Sequence, residues 1–192
     1  PFPGYGVEGP ITTAWALRGH GFFEDLHAAP ELCQRYLALV TESIISYRQW
    51  LRRVNGEPVY DDRSVGLADD VSAMLSPRMW PTFVLPYHER FYAAQTCGWR
   101  TAHIEGLSPA HLGYLDALKL SSFDVSVSPL LQPRDVRERC QVPFIWRLNE
   151  MQARDMGRDE IRRYVASAIA DGASGFTCSL YRGMLGAEMV AK

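Results

Sequence analysis

The residues best suited to chemistry stand in four small groups, each just after a short apolar run. They are Asp69 and Asp70; His103 and Glu105; Arg147 and Asn149; and Cys178, Ser179 and Arg182. The Asp pair offers two carboxylates for catalysis, or serves more simply as a helix cap or loop carboxylate. His103 and Glu105 are two residues apart, so on one strand both side chains point to the same face. That arrangement suits a functional pair, and equally a histidine hydrogen-bonded to its neighbouring carboxylate. Guanidinium groups form paired hydrogen bonds to carboxylates and phosphates. Arg182 is therefore a natural anion anchor. Asp69, Asp70, Asn149 and Arg182 are the catalytic candidates; Arg147 and Ser179 are the candidates for holding substrate.

These groups need elements to position them. Short apolar runs alternate with amphipathic helical patterns along the chain. Residues 11–15, after the turn residues Gly9-Pro10, are expected to form a first strand, and residues 64–68 a second, closed by the Asp pair. Residues 100–104, 123–127, 144–148 and 175–178 complete a set of six. Between the first two, a helix is expected from Pro30, a good first-turn residue, to a left-handed cap at Gly56. Its apolar positions, Leu32, Tyr36, Leu39, Val40, Ile44, Tyr47, Leu51 and Val54, recur at three and four and predict one buried face. Ser76-Pro77 opens a further helix with a stripe of Met79, Trp80, Phe83, Val84, Tyr87 and Phe91. Pro81 and Pro86 inside that stripe predict a kink or a break. The stripe, joined by Trp99, reads as helix-to-sheet packing rather than a cofactor box. Ser108-Pro109 starts a short helix with Leu112, Leu115 and Leu118 inward. Small helices near 134–139 and 159–171 follow, the second stopped by Gly172.

Strands alternating with helices imply βαβ units and a parallel sheet. With right-handed crossovers the result is a doubly wound sheet or a barrel. No GxGxxG or Walker sequence follows the first apolar run, which removes the best pointer to a nucleotide-binding open sheet.

Composition excludes several classes. At 192 residues the chain suits one sizeable core, a single domain over 1–192. The net charge of −2 gives no general attraction to nucleic acid or anionic membrane, and the basic residues are scattered without interleaved aromatics. The pair Arg52-Arg53 reads as a solvated helix end. No apolar stretch approaches the roughly 20 residues that span a bilayer, and the N-terminus lacks a signal-peptide pattern. Cys33, Cys97, Cys140 and Cys178 are widely spaced and form no CxxC pair. With a composition that otherwise reads as cytoplasmic, four free thiols are expected, most of them buried.

A family comes into view at Asp69-Asp70-Val71-Ser72-Ala73-Met74-Leu75-Ser76-Pro77 followed by Phe83-Val84-Leu85-Pro86-Tyr87. This stretch resembles the uroporphyrinogen decarboxylase superfamily, whose members carry an acidic strand end, a Leu-Ser-Pro helix start and a similar Leu-Pro-Tyr core. Gly9-Pro10-Ile11-Thr12 is similar to the family's Gly-Pro strand start. Arg147-Leu148-Asn149, with Met156-Gly157 and Glu160-Ile161, is similar to a later family stretch. The resemblance runs from about Gly9 to Gly183 and implies a (β/α)8 TIM barrel. The six runs would be its third to eighth strands, with the first two lying before Pro1.

The resemblance also implies chemistry. One branch, the corrinoid-linked thiol methyltransferases, has a His-x-Cys pair here and a later Cys as zinc ligands. His103 matches that histidine, Glu105 replaces the first Cys, and Arg182 falls where the later Cys would be. Cys178, four residues earlier, is the nearest thiol, so His103, Glu105 and Cys178 are the implied metal set. The decarboxylase branch uses no metal. Its strand tyrosine falls at Ala16, or at Trp15 with a one-residue shift, and its late histidine falls at Arg182. Both departures argue against true uroporphyrinogen decarboxylase activity. The leading reading is therefore methyl transfer to or from a corrinoid or thiol acceptor. A metal-free decarboxylase of a tetrapyrrole and a non-catalytic barrel fragment are the alternatives. The partners implied are a small-molecule substrate, a corrinoid protein and a second copy in a homodimer; zinc, a corrinoid or no cofactor at all are the cofactor alternatives.

Overall fold

The computed structural model describes residues 6–179. Its centre is a five-stranded, all-parallel sheet: β1 (Ser64–Ala68), β2 (Trp99–His103), β3 (Ser122–Asp124), β4 (Phe144–Arg147) and β5 (Gly175–Thr177). Neighbours in sequence are neighbours in the sheet, in the order β1-β2-β3-β4-β5. The matched pairs Ala68↔His103, His103↔Asp124 and Arg147↔Thr177 bring the strand ends level.

Alternation along the strands gives the two faces different chemistry. Val65, Leu67, Ala102, Phe123, Phe144 and Trp146 are buried. Gly66, Ala68, Thr101, His103, Ser122, Asp124 and Arg147 lie on the other face and are small or polar. The long helix α3 (Pro30–Val54) packs against α1 (Pro10–Arg18), α2 (Gly21–Ala28) and α5 (Leu85–Ala93). Trp80, fully buried, ties the β1–β2 connection together. Its indole donates to the Ser72 carbonyl at 3.0 Å and stacks on Tyr114 at 6.0 Å. The stripe Trp80, Phe83, Tyr87 and Phe91 is buried as expected. The two prolines break its helix: Pro81 opens α4 (Trp80–Phe83) and Pro86 opens α5, each in a first turn, with Val84 non-helical between them.

Several expectations are corrected. Residues 11–15 form no strand; they lie in α1, so the described sheet has five strands and not six. A five-residue apolar run does not distinguish strand from buried helix. Here Pro10 sits at the first helical turn, and a distant carboxylate takes up the free amides. Val125 lies one residue beyond β3, although its amide still donates to Ile145. On α3 the buried face is Cys33, Leu37, Val40, Thr41, Ile44 and Ile45, leaving Leu32, Leu39 and Val54 exposed. The helix carries apolar residues on two faces, and only one meets the core. Trp99 is 71% exposed, because it begins β2 at the outer rim instead of joining the stripe. Of the four thiols, Cys33 and Cys140 are buried, Cys97 is exposed and Cys178 half-buried.

The carboxylate at the start of α1 is Asp69, 0% exposed. Its Oδ1 accepts the Thr12 amide at 2.7 Å; its Oδ2 accepts the Ile11 amide at 3.2 Å and faces His88 Nε2 at 2.6 Å. These are free first-turn donors of a helix whose N-cap residue, Gly9, supplies no side chain. Gly9 is required: a Cβ there would lie 2.5 Å from the Asp69 Cβ. Asp69→Ala strands two amides and the imidazole in a dry interior. It should lower unfolding free energy in urea by about 3–5 kcal/mol, whereas a loss under about 1 kcal/mol would show that this carboxylate is dispensable.

Candidate functional site

Backbone geometry turns four loops toward one point at the carboxyl ends of the strands. The centre is Asp124, the last residue of β3. Its Oδ2 accepts from His103 Nδ1 at 2.9 Å and from Arg147 Nη2 at 2.9 Å, and its Oδ1 accepts the Ser126 amide at 2.8 Å. Ser126 makes that last bond possible by taking a left-handed φ of 51°. Asp124 thus links the cations at the ends of β2 and β4. Beyond His103, Asp70 Oδ1 accepts the Glu105 amide at 2.8 Å and lies 3.8 Å from His103 Nε2. That separation is too long for a hydrogen bond, so Nε2 keeps its capacity for another partner. A cavity of about 470 Å³ opens along this sheet face beside His103 and Asp124, walled by Gly66, Thr101 and Ser122 and by the apolar Val7 and Ile145, with Arg48 also lining it. Its volume suits a small molecule. A second cavity, about 390 Å³, lies among the first three helices, lined by Leu17, Leu32, Cys33 and Tyr36. Its charged pair, Arg18 and Asp25, is mutually satisfied at 2.8 Å, so no set of free polar groups converges there.

The electrostatics follow from these contacts. Burial pushes the Asp124 carboxyl up, but the bonds from His103, the Ser126 amide and Arg147 outweigh it and bring it down to about 2. The Asp124 hydrogen bond raises His103 above the ordinary histidine value; burial opposes, the charges of Asp124 and Asp70 add, and Arg147 opposes. Glu8, on the segment before α1, is raised by burial and by the charges of Asp70 and Asp69, against the effect of His103. The site is therefore an ionised Asp124 between a guanidinium and an imidazole whose protonated form is favoured, with the carboxylates of Asp70 and Glu8 at its edge.

The structure brings together Asp70, His103, Arg147 and Ser179, whose Oγ accepts from Arg147 Nη1 at 3.3 Å. It separates others from them. Asp69 faces the interior with no exposed surface. The Asn149 side-chain oxygen caps α7 (Glu150–Asp155), accepting the Met151 amide at 2.8 Å. β2 ends at His103, so Glu105 sits in the following turn, not on the strand, and its carboxylate accepts from Ser126 Oγ at 2.9 Å. Burial, then the Glu150 charge, raises the Cys178 thiol, away from the thiolate a metal would take. Arg182 lies outside the described residues.

A catalytic zinc takes three protein donors. Among the described residues no group of three or more His, Cys, Asp or Glu side chains is placed to hold a metal ion. His103, Glu105 and Cys178 are not brought together as such a group, the Glu105 carboxylate accepting from Ser126 Oγ instead. Sequence reasoning missed Asp124 and Ser126. The signal was present: they alternate within 123–127 as His103 and Glu105 do within theirs.

These features define a parallel α/β protein with a charged site at its strand ends. Residues 5–187 match the uroporphyrinogen decarboxylase (URO-D) family, and the chain belongs to that family. Among solved structures it is similar to a methyltransferase from Methanosarcina mazei, with a TM-score of 0.73 and 17% identity, over 95% of this chain and 54% of that one. The chain thus spans about half the length of that structure, and at this identity the likeness is one of fold. No curated relative matches the sequence.

The shifts predict a pH dependence with a definite sign. His103, raised in the folded state, contributes stability that is complete below its unfolded value near ~6.5 and is lost as pH rises through the folded value. Asp124, depressed, contributes stability that is complete above ~3.9 and is lost as pH falls toward about 2. The imidazole resonances of His103 should titrate above the ordinary range, and Asp124→Asn should bring that titration down. No change in Asp124→Asn would mean that the pair does not hold the imidazolium.

Proposed function

We propose that the five strands are part of a (β/α)8 barrel whose strand-end site catalyses methyl transfer from a small methylated substrate, with His103 as the acid. The observation that carries this reading is His103 itself. Asp124 fixes Nδ1 and favours the imidazolium, while Nε2 is left toward Asp70 and the cavity. Family membership and the methyltransferase neighbour support it.

In the proposed step the methyl carbon is attacked by an acceptor, a thiolate or a reduced corrinoid, acting as second substrate. The bond from methyl to the substrate's heteroatom breaks, and its electron pair stays on the heteroatom. The heteroatom takes the proton from His103 Nε2. Asp124 remains ionised, so it steadies the imidazolium before transfer and keeps the ring oriented afterwards. Arg147 and Ser179 anchor an anionic part of the substrate. No step of this reading runs through a metal, since no group of three ligating side chains stands among the described residues. A second reading follows from the family name: the same proton delivered to carbon as a carboxylate leaves as CO₂. The departures at Ala16 and Arg182 weigh against uroporphyrinogen as that substrate.

The test incubates the protein with O-methyl phenols, methylamines and methyl thioethers, each with reduced cobalamin or a free thiol. Methylated acceptor and demethylated product should appear in equal amounts, and His103→Gln should lower kcat by about 10²–10⁴-fold. Turnover unaffected by His103→Gln overturns the assignment. CO₂ release from a tetrapyrrole carboxylate without methyl transfer establishes the second reading.

A further inference from the structure

Asp69 and Asp70 are adjacent but do opposite work, and the side chain that separates their roles is His88. This residue is 0% exposed on α5, with its ring edge toward Trp80 at 6.5 Å between centroids. Its Nε2 meets Asp69 Oδ2 at 2.6 Å. Since a carboxylate accepts, the proton of this bond belongs to Nε2, and Nδ1 has no partner among the described residues. A buried polar atom without a partner is a cost. The bond to Asp69 accounts for one ring nitrogen and leaves the other without a partner.

We propose that His88 is a positioning residue of the strand-end site, acting through Asp69 to hold Asp70 against Glu105 and His103. Asp69 is gripped from both sides of the chain. Its carboxylate takes His88, Ile11 and Thr12; its amide donates to the His103 carbonyl at 3.1 Å; its carbonyl receives Ser72 Oγ at 2.6 Å. Thr12 Oγ1 accepts the Val71 amide at 3.1 Å, one residue past Asp70. The Gly9 amide donates to the Ala68 carbonyl at 2.6 Å, which fixes the segment carrying Glu8 at the same strand end. With residues 69 and 71 both anchored, the backbone of Asp70 has one orientation, and its carboxylate reaches the Glu105 amide at 2.8 Å. Among the described residues His88 is the one side chain hydrogen-bonded to the Asp69 carboxylate. Without it Asp69 is held only by two amides of the helix start, and the rotation that aims Asp70 outward loses its inner stop.

The inference rests on the strand-end site being functional, but its test does not depend on turnover. His88→Leu and His88→Gln are compared with Ile44→Val, a core change of modest cost elsewhere, by amide hydrogen exchange on the folded protein. In His88→Leu the Glu105 amide should exchange at least about tenfold faster than in Ile44→Val, the loss expected for one hydrogen bond to a charged acceptor. The Thr12 amide should follow it. His88→Gln, whose amide nitrogen can donate to Asp69 from the place of Nε2, should restore both. Where methyl transfer is observed, kcat should fall and recover in the same order. Equal protection of Glu105 in His88→Leu and Ile44→Val overturns the proposal, as does failure of His88→Gln to rescue. Loss of kcat with Glu105 protection intact does so as well. Absence of methyl transfer with the exchange pattern as predicted overturns the functional reading alone.

Discussion

A carboxylate with no exposed surface must be neutralised or hydrogen-bonded by its neighbours, and Asp69 organises the molecule around that requirement. The available donors are the His88 imidazole and the free amides at the start of α1. Satisfying it docks a helix from the beginning of the chain onto the end of β1, excludes a side chain at Gly9 and fixes the turn into Asp70. The N-terminal helices and the sheet are therefore joined by one buried acid as well as by apolar contact. The neighbouring residue inherits its direction from that bond, which is why two identical side chains in sequence meet opposite environments.

Asp124 is the counterpart at the surface end of the sheet. It is held ionised, and its partners are His103 and Arg147 on the flanking strands, so it links β2, β3 and β4 where the register brings their ends level. At 33% and 23% exposure, His103 and Asp124 are shielded enough for the pair to matter and open enough for a ligand to reach the imidazole. One carboxylate thus holds two basic side chains, and His103 Nε2, 3.8 Å from Asp70, is the ring nitrogen left without a hydrogen bond. Proton donation needs only the pair His103 and Asp124, whereas a catalytic metal needs three ligands, and no such group stands among the described residues.

Much of the fold was legible in the sequence. Residues 64–68, 100–104, 144–148 and 175–178 announced strands by apolar runs, and the two prolines announced a broken helix. Residues 11–15 misled because a Gly-Pro before a short apolar run begins a helix as readily as a strand, and the deciding partner, Asp69, is 58 residues from Ile11. The 25-residue α3 misled because it is apolar on two sides, and the side that packs is set by its neighbours. Asp70, His103, Arg147 and Ser179 were named as candidates for their place at or just after the ends of the apolar runs, and the structure sets them near one another. Asp124 was not, since β3 was read as running through to residue 127, which put that aspartate inside a strand and not at its end. His88 was hidden in an aromatic stripe, where a histidine reads as packing. Pairings across strands carry no local sequence signal, and both buried acids work through such pairings.

On the proposed reading His103 acts as a proton donor held in readiness by Asp124. The most direct measurement is the pH dependence of kcat for methyl transfer by the protein. The account predicts a rate that is high at mildly acidic pH and falls as His103 loses its proton, with the midpoint above the ordinary histidine value and lowered in Asp124→Asn. A rate that instead rises as His103 deprotonates would contradict it, and would assign the imidazole to base or ligand chemistry.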